Sequence, residues 1–116
     1  MGVWTIDLYE TRAGRRPVQE FMDQLPPDAR AKLARSFDLL ERFGLTLTPP
    51  YLRKVGDHVW ELRTTFGGIA YRILLFGMEG GRLVLSHATA KKSMKLKASD
   101  IRLTERRRRE YIGERR

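Results

Sequence analysis

At 116 residues, with 41% hydrophobic and 32% charged residues, the chain has the composition of one globular domain spanning 1–116 rather than of a disordered segment. There is no cysteine, which excludes disulfide and thiolate chemistry. No apolar run approaches the roughly 20 residues that span a bilayer, and Met1 to Asp7 lacks the blocks of a signal peptide, so no membrane partner and a cytoplasmic location are expected. The net charge is +9, and residues 91–116 carry eleven lysines and arginines against four acids, a concentration that suits nucleic acid, an anionic membrane or an acidic protein.

Val3 to Tyr9 alternates and is rich in aromatic and β-branched residues, which predicts a strand ended by the turn Arg12-Ala13-Gly14. Pro17 suits a first helical turn, and Val18, Phe21, Met22 and Leu25 form one apolar helix face before Pro26-Pro27 stops it. A second helix is predicted from Asp28 to Phe43, with Leu33, Phe37 and Leu40 on its buried stripe and Gly44 as its cap, forming an antiparallel hairpin with the first. Leu47 to Pro50 reads as a loop, Tyr51 to Lys54 as a lead-in, and Asp57-His58 as a turn. A three-stranded meander follows at Val59–Arg63, Ile69–Ile73 and Leu83–His87, with turns at Thr65–Gly68 and Glu79–Arg82. Ser99 or Asp100 caps a last, basic helix that ends near Gly113. The predicted fold is α+β, an antiparallel sheet of the N-terminal strand plus the meander, with its helices on one face.

Alternation puts Trp60 and Leu62 on the buried side and Glu61 and Arg63 opposite, while Tyr71 packs with Ile69 and Ile73 and leaves Arg72 on the other face. A two-residue second turn sets Arg72 near Thr89 and His87 opposite Leu74; a first turn spanning Thr65 to Gly68 sets Glu61 opposite Arg72. Lys54, Arg63, Arg72, Lys91, Lys92 and Lys95 are thus expected on or beside a helix-free sheet face, where single-stranded RNA can lie with its phosphates on cations. Two histidines far apart and no acidic cluster give no metal-ligand spacing, so neither metal nor cofactor is expected. Metal-free RNA cleavage needs a base for the 2′-hydroxyl, an acid for the 5′-oxygen and fixed cations for the phosphorane. Arg63 and Arg72 suit the last role, and Lys91, Lys92 or Lys95, crowded by cations, or else Glu61 or His87, the proton transfers. Glu61 is more readily a cross-strand ion-pair partner of Arg72 than a proton carrier. The run Arg106 to Arg109 points around more than a full helical turn and cannot all meet one ligand; Arg106 and Arg109, with Lys97, are taken as RNA contacts.

Trp60-Glu61-Leu62-Arg63, Tyr71-Arg72-Ile73-Leu74, Leu85-Ser86-His87-Ala88 and Lys91-Lys92, followed by Lys95 and a basic helix ending near Tyr111, resemble the phage-derived HigB-like toxins of the RelE/ParE superfamily. The resemblance spans nearly the whole chain. It implies a RelE-like fold, a toxin of a type II toxin–antitoxin system held in a hetero-oligomer by a helix-turn-helix, HigA-like antitoxin, and an endoribonuclease that cuts mRNA on the ribosome. It carries the family's basic sheet residues onto Lys54, Arg63 and Arg72, and its lysine segment onto Lys91, Lys92 and Lys95. Thr89 stands where relatives usually have an aromatic, and Leu96-Lys97 where they often have Thr-Pro. The ParE branch inhibits DNA gyrase on the same fold, so a non-enzymatic gyrase inhibitor and a plain RNA-binding module are the alternatives.

Overall fold

The computed structural model describes residues 3–91 and 95–114. Its elements are β1 (Thr5–Leu8), α1 (Pro17–Asp23), α2 (Pro27–Phe43), β2 (Leu52–Gly56), β3 (Val59–Phe66), β4 (Ile69–Met78), β5 (Arg82–Lys91) and α3 (Ala98–Glu114), with 3-10 turns at Gly44–Thr46 and Glu79–Gly81. One five-stranded sheet runs in the order β1-β5-β4-β3-β2. It is mixed rather than antiparallel: β1 pairs parallel to β5, Ile6 against Leu83 and Leu8 against Leu85. Where Tyr51 to Lys54 is expected only as a lead-in, Leu52–Gly56 forms the edge strand β2, which Asp57 and His58 turn into β3.

The hairpin side is built as alternation dictates. Leu62, Tyr71, Ile73, Leu75, Leu83 and Leu85 share one face and pack against Val18 and Met22 of α1 and Ala29, Leu33 and Leu40 of α2, with the rings of Phe21 and Tyr71 6.4 Å apart, edge to face. Three residues separate α1 from α2, and Arg30 caps the end of α1 by donating to the carbonyls of Met22, Asp23 and Leu25. Gly44 closes α2 at φ +56°, under the Trp4 indole, which any β-carbon at this position would overlap.

The opposite face is not helix-free. α3 lies on it, which makes the molecule three layers instead of two. Tyr111 meets Phe76 edge to face at 5.5 Å within a cluster that includes Tyr9 and Val84. At the other end of the helix Ile101 lies so close to Gly56 that a β-carbon there would sit 2.7 Å from its Cγ2. Pattern reading misses this docking because the inner face of α3 is mostly polar: Asp100, Thr104, Arg107 and Tyr111 follow the helical period, and each is buried or half-buried. The helix begins at Ala98 and runs through Gly113, so Asp100 sits in its first turn rather than at its cap.

Candidate functional site

The meander's registers decide which side chains meet. Gly67-Gly68 alone turns β3 into β4, so Arg63 stands opposite Arg72 and Glu61 opposite Leu74, not Arg72. At the second turn three residues join Met78 to Arg82, one more than a tight turn needs, and a bulge further along takes up the difference. Leu75 faces Leu85, but Leu74 faces His87, leaving Ser86 as the extra residue. The far half of the strand therefore has the expected register, with Arg72 opposite Thr89 and His87 opposite Leu74. Val84 belongs to the α3 face; without the bulge, strict alternation from Val84 would send His87 to the hairpin side. Arg107 pins the bulge by donating to the Ser86 carbonyl while its guanidinium lies 5.2 Å from the centre of the Tyr9 ring. Desolvation lowers the pKa of this arginine, partly offset by Tyr9.

His87, aimed at α3, meets Asp100: Nε2 and Oδ1 are 2.9 Å apart and both side chains are half-buried. β1 ends at Leu8, and beyond it the free side of β5 opens a cleft of about 380 Å³ whose lining includes His87, Arg107, Arg15, Glu20, Phe21 and Gln24. Two pairs further along β5, Lys91 comes together with Lys97, Asp100 and Arg72. Lys97, able to donate a hydrogen bond to the neutral Lys91 amine but not to its ammonium, holds Lys91 below the usual ammonium range; desolvation and the charges of Lys97 and Arg72 act the same way, and Asp100 opposes them.

Arg72 is not an open phosphate contact. It is 1% exposed, and its guanidinium lies 3.5 Å from Oε2 of Glu61, itself 0% exposed, an ion-pair contact longer than a hydrogen bond. Glu61 also accepts a hydrogen bond from Arg53 at 2.9 Å, so this acid serves an ion pair. Arg63 remains half-buried at the rim, where Lys32, Ser36 and Tyr51 line a second cleft with it. Lys54 departs from the expected face: its partner is Trp60, on the hairpin side, and its ammonium lies 5.5 Å from the centre of that indole. Lys95 and Lys97 are exposed ahead of α3, and Arg106 and Arg109 join Arg102 on its outer face. Lys92 lies outside the described residues. The structure thus brings Arg72, Lys91, Lys97 and the His87–Asp100 pair together at the start of α3, sets Arg63 opposite Arg72 on the next strand, and leaves Lys54 out.

Two residues that matter were missed as site residues. Asp100 was expected only as a helix cap, although an acid in a helix's first turn is also free to reach a neighbouring strand. Arg107 was hidden in the arginine run, yet its spacing of four from both Leu103 and Tyr111 marks the inner stripe. Among the described residues no group of three histidines or acids is placed to hold a metal ion, and no helix is long and apolar enough to cross a membrane.

The model of the family described as phage derived protein Gp49-like (DUF891) matches residues 20–109, from α1 to the arginine run of α3. The chain belongs to the Gp49-like family. Gp49-like proteins are generally toxin-like members of toxin–antitoxin systems. The matched span includes both clefts' sheet residues, the His87–Asp100 pair and the lysines beside it. No curated protein matches the chain.

Proposed function

We propose that this Gp49-like protein is a HigB-like toxin with a RelE-like fold that cuts mRNA on the ribosome. What carries the reading is the group at the N-terminal end of α3: a histidine hydrogen-bonded to a carboxylate, beside a lysine held below its usual range by a second lysine. These are a base and an acid on the same strand, with Arg72 of the neighbouring strand level with Thr89 between them. The 2′-oxygen attacks phosphorus as His87 takes its proton, the bond to the 5′-oxygen breaks, and Lys91 protonates that oxygen. The products are a 2′,3′-cyclic phosphate and a 5′-hydroxyl. Arg63, at the rim, neutralises the phosphorane, and Arg72 acts from beneath the surface through its charge. Lys95, Lys97, Arg106 and Arg109 hold the RNA backbone; in the complex without RNA, a helix-turn-helix antitoxin covers this basic surface in the cytoplasm. Purified protein added to a translation reaction tests this: message cut within ribosome-occupied sequence supports it, and intact message under full translational arrest refutes it.

A further inference from the structure

His87 and Asp100 belong to different elements, 13 positions apart, and meet because the bulge at Ser86 turns the histidine toward the first turn of α3. An ionised carboxylate can only accept a hydrogen bond, so at 2.9 Å the Nε2 atom of a neutral imidazole must be the donor. That leaves Nδ1 with the free lone pair. Lys91 lies near enough to Asp100 for their charges to act on each other, and Lys97 and Arg72 act on Lys91 in turn. His87 in turn lines the cleft that also holds Arg107, Arg15 and Glu20, which gives a polyanion access to the ring.

We infer that Asp100 is a positioning residue: its carboxylate fixes His87 as the Nε2–H tautomer, so that Nδ1 is the atom that accepts the 2′-hydroxyl proton. The inference rests on the nuclease reading above for its chemistry but not for its geometry. In the same step the 2′-oxygen–phosphorus bond forms and the phosphorus–5′-oxygen bond breaks, with Lys91 supplying the proton to the leaving oxygen. Asp100 itself neither gains nor loses a proton, and acts through the ring alone. The competing role is purely structural, a tie between the first turn of α3 and β5.

Two measurements separate these roles. Nitrogen–proton correlation spectra of the full chain at alkaline pH read the tautomer without substrate: a protonated Nε2 and bare Nδ1 are expected, and a protonated Nδ1 overturns the assignment. Single-turnover cleavage of ribosome-bound message at saturating ribosome then compares Asp100→Ala, His87→Ala and the double variant. His87→Ala should lose roughly 10²- to 10⁴-fold in rate, Asp100→Ala a substantial part of that, and the double variant no more than His87→Ala. Losses that multiply in the double variant overturn the inference, because Asp100 then acts without the imidazole, and an Asp100→Ala rate loss that only matches its loss of folded protein overturns it in favour of the structural tie. Asp100→Asn, of the same shape, replaces the alanine variant if that does not fold. Wild-type protein that cuts no message refutes the nuclease reading instead, and the spectra still decide the tautomer.

Discussion

Replacing Arg72 with alanine should destabilise the protein before it tells anything about RNA. The side chain is among the largest that are fully buried, and its removal leaves the Glu61 carboxylate at 0% exposure with one of its two cationic partners gone. Breaking a buried ion pair from one side typically costs about 3–5 kcal/mol. Arg53 still donates to Glu61 at 2.9 Å and is itself 47% exposed, which places the expected loss near the lower end, about 3 kcal/mol. A domain of this size holds roughly 5–15 kcal/mol in all, so about a fifth to three fifths of the margin goes. In urea, at a slope of about 1.5 kcal/mol per molar, the midpoint should fall by about 2 M. Pairing Arg72→Met with Glu61→Leu removes both charges and should restore most of the loss, since a buried pair contributes little net stability over an apolar substitute. A midpoint that moves less than about 0.5 M in Arg72→Ala, or a double variant no better than the single, refutes the buried-pair account. Any loss of toxicity in Arg72→Ala is informative only once the folded fraction has been measured.

Gly56→Ala should cost about 1–3 kcal/mol in urea unfolding, because the added carbon would meet Ile101 at 2.7 Å and force α3 away from the sheet; a neutral result would mean that the helix docks loosely. Lys97→Ala removes the largest cause that lowers Lys91, so the Lys91 pKa rises toward its usual value. With Lys91 as the acid, activity falls as pH rises through that pKa, and the alkaline limb of the rate profile should move to higher pH in Lys97→Ala; an unmoved limb argues against Lys91 as the acid. Arg106→Gln and Arg109→Gln should each lower the logarithmic salt slope of RNA binding by about 0.7 while leaving the cut site unchanged, and a shifted cut site would assign them a selecting role.

The alternation of the meander was legible, and it placed Tyr71 in the core and Arg63 opposite Trp60's face, because a strand's period of two needs no tertiary information. A turn simpler than the real one gives the same His87–Leu74 pairing; the longer loop and the bulge cancel, and neither has a local signature as strong as Gly-Gly. What covers a sheet face is a long-range fact. Arg72 was expected in the open because nothing in its own strand reveals α3, and α3 hides its inner face behind Asp100, Thr104 and Arg107. Lys54 changed sides because the irregularity between Lys54 and Gly56 re-sets the pairing of β2, again a feature of two strands rather than one. The parallel partner of β1 lies some 77 positions away along the chain, Thr5 against Arg82, beyond the reach of any hairpin signal.

The most direct test of the account is the chemistry of the cut ends. Message recovered from a translation reaction containing the purified protein should carry a 2′,3′-cyclic phosphate on the upstream fragment and a 5′-hydroxyl on the downstream one, and both should vanish with His87→Ala at unchanged fold. Fragments ending in a 3′-hydroxyl and a 5′-phosphate would contradict attack by the 2′-oxygen, and with it the roles given to His87 and Lys91.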